Sequence, residues 1–92
     1  MDHTILKCPY CMSDHAHTLC VETFFREDED YHKGRHVEVS ESHCFIDSDM
    51  TGNPSLRRNG VLITYECEMC QKNFGLAISH HKGSNFVEMR SL

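Results

Sequence analysis

Two Cys-x-x-Cys pairs stand near opposite ends of this chain. The first is Cys8 and Cys11 in CPYC, and the second is Cys67 and Cys70 in CEMC. Two cysteines separated by two residues can curl around one cation in a tight turn, with backbone N–H groups turned toward the sulfurs. Each pair supplies half of a tetrahedral site. The spacing therefore predicts one Zn²⁺ per chain, held by all four thiolates.

The size of the chain explains why it needs such a site. A protein of 92 residues buries only roughly 60–65% of the surface that its unfolded form exposes. Its 39% hydrophobic content includes five Phe, three Tyr and no Trp. A small domain with so thin a core is usually stabilised by disulfides or by a metal.

Cysteine chemistry separates these two means of stabilisation. The first ten residues, MDHTILKCPY, lack the pattern of a signal peptide. We therefore expect a cytoplasmic protein, in which cysteine pairs stay reduced and hold metal. No run approaches about 18 apolar residues, so we expect no membrane span.

Strand-like segments flank the two pairs. Residues 18–25 and 61–66 are rich in β-branched and aromatic side chains, which favours strands. Residues 74–78 alternate with period two, and a turn signal at 82–84 precedes a last strand at 85–89. The order strand, CxxC, strand, turn, strand predicts an antiparallel meander.

The middle of the chain has fewer signals. The charged run REDEDYHKGR at 26–35 predicts a solvated hairpin tip, and 36–40 predicts its returning strand. Residues 40–60 predict an irregular connection with one helical turn around 54–58. We thus expect a single domain over 1–92, with the ribbon ends at about 3–25 and 60–90 and an insertion at about 26–59.

The two knuckles resemble the zinc-ribbon family, in which C-P-x-C-G is followed by C-x-x-C-G. Pro9 matches the first knuckle, whereas Met12 and Gln71 stand where that family usually has Gly. The 55 residues between Cys11 and Cys67 exceed those of a minimal ribbon. The resemblance implies a small β-rich fold clamped by a structural zinc site of four cysteines. It also implies a role in nucleic-acid machinery, in protein contacts or as a subdomain of an enzyme.

Three other interpretations remain open. CPYC is also the active-site motif of glutaredoxins, which need a buried strand before it and an amphipathic helix after it. A two-Cys, two-His finger would use Cys67 and Cys70 with His80 and His81, although the histidines follow too soon. Four thiolates also bind iron, as in rubredoxins, although the core here is less aromatic.

Several residues lie outside the predicted site. Cys20 and Cys44 are expected to be inert core thiols, and His15 or His17 is an alternative ligand. A group of basic residues is a candidate contact patch for a phosphate or a partner. Its members are His80, His81, Lys82, Arg57 and Arg58.

Charge helps to rank the functions. The chain carries nine Lys and Arg against fourteen Asp and Glu, a formal charge of −5. Four thiolates and one Zn²⁺ add two further negative charges. Because nonspecific nucleic-acid binding needs a positive face, this balance disfavours it. The sequence therefore predicts a structural-zinc protein that is not an enzyme and binds a protein partner. The alternatives are a nucleic-acid-binding ribbon and a glutaredoxin-like redox protein.

Overall fold

The fold is a single antiparallel sheet of six strands, seen in a computed structural model that describes residues 3–27 and 34–92. No helix occurs among these residues. The strands are β1 (Ala16–Arg26), β2 (Gly34–Ser40), β3 (Cys44–Asp47), β4 (Gly60–Cys67), β5 (Asn73–His81) and β6 (Ser84–Ser91). The small all-β fold predicted from the sequence is confirmed.

The strands lie in the order β3-β2-β1-β4-β5-β6. Strand β1 pairs with β4 over almost its whole length, from Ala16 opposite Cys67 to Phe24 opposite Gly60. This pairing places the start of β1 and the end of β4 at one end of the sheet. Because one CxxC pair precedes β1 and the other follows β4, the sheet topology brings both pairs to that end.

The predicted C-terminal meander is confirmed as β4, β5 and β6. A two-residue turn joins β5 to β6, with Lys82 at φ 50° and Gly83 at φ 83°. Positive φ at both positions matches the right-handed twist of the flanking strands, which is why such turns favour Gly. Gly83 meets this need, while Lys82 accepts the left-handed conformation.

Two predictions for the middle of the chain are wrong. Residues 44–47 form edge strand β3, which pairs with β2. Residues 54–58 form bends rather than a helical turn. Asn53 Oδ1 accepts from the Ser55 amide at 2.9 Å and Ser55 Oγ donates to the Asn59 carbonyl at 2.6 Å, so local side-chain bonds replace helical ones. The predicted hairpin tip lies largely outside the described residues.

Alternation along the strands gives the sheet two different faces. On one face, every strand contributes aliphatic or aromatic side chains; we call this the apolar face. Its central members are Val21, Val37, Val39, Ile46, Val61, Ile63, Leu76, Ile78, Val87 and Met89. The opposite face is mixed, and we call it the polar face because all the charged residues of the central register lie on it. Its polar members are Glu22, His36, Glu38, Asp47, Thr64, Ser79, Glu88 and Arg90, and its apolar members are Phe24, Phe45, Leu62, Ala77 and Phe86.

Apart from Ala77 in the middle of β5, the buried hydrophobic side chains form two small groups at opposite ends of the sheet. Cys8, Cys67 and Phe74 are fully buried at the CxxC end. At the other end, Phe24 stacks on the His36 ring, with centroids 4.5 Å apart and an interplanar angle of 5°. Met50 closes over Gly34, where a Cβ would lie 2.9 Å from the Met50 sulfur.

His36 is buried yet holds two carboxylates. Its Nδ1 lies 2.9 Å from Asp47 and its Nε2 lies 3.0 Å from Glu22. Burial lowers the pKa of His36, but the hydrogen bonds to Asp47 and Glu22 outweigh it, so the pKa is raised above its usual value of 6.5. The sequence analysis missed this residue. The alternation in HVEVS does place His36 and Glu38 on one face of the strand. The residues of β1 and β3 that contact His36, however, depend on how the three strands align, which the sequence does not show.

We predict that the contribution of His36 to the free energy of unfolding falls as pH rises. A histidine whose pKa is higher in the folded state contributes its full stabilisation below about pH 6.5 and loses it as pH rises through the folded pKa. His36→Gln should cost on the order of 1–2 kcal/mol at about pH 6 and much less at about pH 8.5. Urea unfolding of the zinc-loaded proteins across this range measures the difference. Exposed His81→Gln is the control, and an equal cost of His36→Gln at both pH values contradicts the prediction.

Candidate metal centre

The first CxxC pair forms a tight turn ahead of β1. The Cys8 amide donates to the Ser13 carbonyl at 2.9 Å, and the Met12 amide donates to the Cys8 carbonyl at 2.9 Å. Met12 has a φ of 66°. The chain can therefore fold back on itself directly after Cys11, and it enters β1 three residues after Ser13. The Tyr10 amide lies 3.4 Å from the Cys8 sulfur, as expected of a knuckle that stabilises a thiolate.

The second pair repeats this geometry between β4 and β5. The Cys67 amide donates to the Lys72 carbonyl at 3.0 Å, and the Gln71 amide donates to the Cys67 carbonyl at 3.0 Å. Gln71 has a φ of 61°, and the Cys70 amide lies 3.5 Å from the Cys67 sulfur. The two turns share their hydrogen-bond offsets and their left-handed residue. They are therefore two copies of one local structure, facing each other.

A backbone hydrogen bond connects the knuckles. The Glu68 amide donates to the His15 carbonyl at 2.9 Å, which continues the β1–β4 pairing beyond Ala16 and Cys67. The register of the sheet thus sets the separation of the two turns. A one-residue slip of β1 against β4 would move one sulfur pair away from the other.

The four sulfurs lie as one tetrahedral ion requires. Cys8 Sγ is 3.7 Å from Cys70 Sγ, Cys11 Sγ is 3.5 Å from Cys67 Sγ, and all four lie within 4.8 Å of one another. Zinc–sulfur bonds of about 2.3 Å in a tetrahedron give sulfur–sulfur edges of about 3.8 Å. None of the four forms a disulfide. The cluster therefore fits a four-thiolate site for a metal ion, consistent with a zinc-ribbon-like centre.

Without a metal, the cluster holds its charge unevenly. Backbone hydrogen bonding from Cys70 is the main cause that lowers the pKa of Cys67 to about 6. A backbone hydrogen bond to Ser13 lowers the pKa of Cys11, but the neighbouring Cys67 sulfur and burial raise it to about 12. One thiolate is thus ready at neutral pH, while its neighbour keeps a proton that a divalent cation would displace.

The surroundings of the sulfurs are largely apolar. Cys8 and Cys67 are fully buried against Phe74, which stacks on Tyr65 with ring centroids 5.4 Å apart. Leu6, Ala16 and Met89 complete this packing. Two of the four cysteines, Cys8 and Cys67, therefore also belong to the hydrophobic core.

The other predicted ligands do not join the cluster. His15 and His17 are exposed and lie near Asp14 and Glu68, at 3.3 Å and 3.7 Å. The expectation that Cys20 and Cys44 are both core thiols is wrong, because Cys20 is half-buried and Cys44 is exposed. Cys44 lies on edge strand β3, where only β2 is beside it.

Cys20 does take part in a second grouping. Its sulfur and the carboxylates of Glu22 and Glu38 lie within 4.8 Å of one another. Burial, with help from Glu38, raises the pKa of Glu22, and burial raises that of Cys20. His36 also binds Glu22, and His43 Nε2 lies 2.7 Å from Glu38. Both carboxylates of this group thus already have histidine partners.

Two alternatives drawn from the sequence do not fit the geometry. His80 and His81 end β5, at the opposite end of the sheet from Cys67 and Cys70, so they do not complete a two-Cys, two-His finger. A glutaredoxin-like site needs a helix after CPYC. Here strand β1 follows CPYC, and the described part of the chain has no helix.

The five residues of the candidate contact patch come together in space. Together with Leu56, they line a depression of about 450 Å³ at the end of the sheet far from the cysteines. The five residues of the patch are Arg57, Arg58, His80, His81 and Lys82. Buried Ser55 fixes this arrangement, because its hydroxyl accepts from the His80 amide at 2.9 Å. Its carbonyl also accepts from Arg26 Nη2 at 2.8 Å.

No family model, curated protein or solved structure matches this chain. Among the described residues, no helix is long and apolar enough to cross a membrane.

We predict that glycine at either left-handed knuckle position stabilises the protein. A non-glycine residue pays about 1–2 kcal/mol to adopt this conformation, while glycine costs more entropy on folding. Met12→Gly or Gln71→Gly should therefore raise the free energy of unfolding by about 0.5–1 kcal/mol, measured by urea unfolding of the metal-loaded protein.

The matched control is Met69→Gly. Met69 is exposed in the second knuckle and lacks a positive φ, so glycine there should destabilise the protein by a similar amount. Equal effects at positions 69 and 71 would show that the knuckle backbone does not require the left-handed conformation.

Proposed function

We propose that this chain is a zinc-ribbon-like protein in which one Zn²⁺ has a structural role, held by Cys8, Cys11, Cys67 and Cys70. The sulfur–sulfur separations of 3.5 Å and 3.7 Å carry this proposal, because they match the edges of a zinc–thiolate tetrahedron. Four thiolates leave no open position for a substrate or water. This coordination supports a non-catalytic role, and reduced thiolates are typical of the cytoplasm.

The size of the core supports a structural role for the metal. Among the described residues, the buried hydrophobic set is Cys8, Phe24, Met50, Cys67, Phe74 and Ala77. Two of these six are proposed ligands. So little buried apolar surface gives little stability by itself, and metal binding would supply the rest of the folding free energy.

We further propose that the protein acts by binding another protein surface. The apolar face supports this, because large exposed apolar patches mark interaction sites in folded proteins. Ile46 and Val87, on the two edge strands of that face, are 66% and 67% exposed. The metal would then hold in shape a sheet whose apolar face makes the contact.

Removal of the metal tests the structural role. We expect one zinc per chain by elemental analysis, with little iron, and loss of the sheet when a chelator removes the metal. Structural zinc contributes about 10–16 kcal/mol of apparent binding free energy, which exceeds the stability of most small domains. Circular dichroism follows the sheet during chelation. A reduced, metal-free protein that keeps its fold would contradict the proposal.

A pair of cysteine variants sharpens this test. Cys8→Ser should lose the zinc and the folded sheet. Exposed Cys44→Ser, which lies outside the cluster, should keep both. A Cys8→Ser protein that remains folded, zinc-free and altered only in thiol redox activity would favour the redox alternative.

A second candidate function is nucleic-acid binding, which the basic depression favours. Arg57, Arg58 and Lys82 converge there although the whole chain is acidic. If this depression binds phosphates, Arg57→Ala or Lys82→Ala should reduce the salt dependence of oligonucleotide binding by about one unit of slope. Arg90→Ala, on β6 outside the depression, should leave it unchanged.

Fluorescence anisotropy with single-stranded DNA and RNA oligonucleotides at low salt measures this binding. Absence of binding at low salt, or equal losses in all three variants, would count against the nucleic-acid role. Neither result would affect the structural role of the metal.

A further inference from the structure

The apolar face of the sheet is continuous across all six strands. The two central strands contribute Val21 and Ile63, which lie opposite each other. Leu76 and Met89 extend the same row across β5 and β6, and Val39 extends it across β2. No charged side chain interrupts this row. Such alternation is typical of a sheet that packs its apolar side against another layer.

The described part of the chain supplies no such layer. Strands contact only their hydrogen-bonded neighbours, so the sheet does not fold back on itself. The first part of the loop after β3 lies on the polar side, where Met50 packs on Gly34 and Gly52 lies near Phe24. Its last residues, 57–59, reach only the edge of the apolar face, where they line a cavity with Val61 and Ile78. The metal-centre end covers Tyr65, Phe74 and part of Met89. Phe25, Val39, Ile46 and Val87 remain between 44% and 67% exposed.

The chain as a whole exposes more surface than a compact monomer of its mass would, by an amount comparable with one side of a protein interface. The chain exposes 6648 Å². A folded monomer of 10.7 kDa is expected to expose about 5,500 Å². The excess of about 1,100 Å² compares with about 800 Å² per partner in a standard complex. The radius of gyration, 14.1 Å, also exceeds the value of about 12 Å expected for a compact chain of this length.

The chemistry of the face favours an identical partner. Two-fold symmetry brings the same patch of each copy together, so charges on the patch would meet like charges. The apolar face has none in its central row, whereas Glu22, Glu38 and Asp47 stand on the polar face. Homodimer interfaces are also more apolar than those of transient complexes, and two sheets can pack about 10 Å apart with interdigitating side chains.

We propose that a second copy of this chain covers the apolar face, so that two six-stranded sheets form a symmetric β-sandwich. This inference rests on the proposed role of the face as a protein contact, and it names the partner. Each edge strand then places an exposed aliphatic residue in the interface, Ile46 from β3 and Val87 from β6. Each copy keeps its own metal centre, at one end of its own sheet.

Sedimentation equilibrium and light scattering of the zinc-loaded full chain test the proposal. At about 100 µM, wild-type protein should have twice the 10.7 kDa mass of the chain. Val87→Glu and Ile46→Glu each place two carboxylates in the symmetric interface, and each should weaken dimerisation by at least about 100-fold. Phe86→Glu is the matched control, since Phe86 is 53% exposed on the opposite face of the same strand, and it should remain dimeric.

Every other outcome counts against a dimer formed through the apolar faces. A dimer that persists in both Val87→Glu and Ile46→Glu would show that another surface, such as a sheet edge, makes the contact. A zinc-loaded monomer that binds an apolar dye would overturn the second copy as partner while keeping the contact role of the face. A zinc-loaded monomer without dye binding would overturn both. Zinc content and circular dichroism, measured on every variant, confirm that the loss of dimer occurs in folded protein.

Discussion

The contact between β1 and β4 at the cysteine end is the constraint on which the other strands depend. It closes a loop of 55 residues between Cys11 and Cys67, at a chain-entropy cost of about 3–4 kcal/mol before any other contact forms. The β1–β4 hydrogen bonds alone give little net free energy against water. A metal ion bound by the four sulfurs at one corner would hold this closure, and β2 and β5 lie on either side of the β1–β4 pair.

Each end of the sheet buries polar groups, and the two ends stabilise them by different chemistry. At one end, thiolates occupy the position of core side chains, with Phe74 and Tyr65 packed around them. At the other, the His36 ring stacks on Phe24 and uses both nitrogens on carboxylates. Each end buries a polar group that is fully engaged, as burial without a partner would be costly. Between these ends, the sheet is a single layer.

Local signals in the sequence explain which parts of this structure are predictable. The CxxC pairs, the alternation in β5 and the Lys82-Gly83 turn each lie within a few residues, so the metal cluster and the C-terminal meander follow from the sequence. Strand β3 has only four residues and pairs on one side, so its alternation of polar and apolar residues is too short to predict a strand. The bends after Asn53 depend on side-chain bonds that compete with a helix. The partners of His36 and the gathering of the basic residues depend on register and on Ser55, which join distant segments.

The position of the four-cysteine cluster connects folding to the surface that the sheet presents. The cluster fixes β1 and β4, and these central strands carry Val21 and Ile63 at the middle of the apolar face. A slip between these strands would send alternate side chains to the wrong side, because side chains alternate with period two. The same sulfurs that close the loop therefore set which residues appear on the face. Any partner that binds only the ordered face would be thermodynamically linked to a metal bound by the four cysteines, since each would stabilise the form that the other requires.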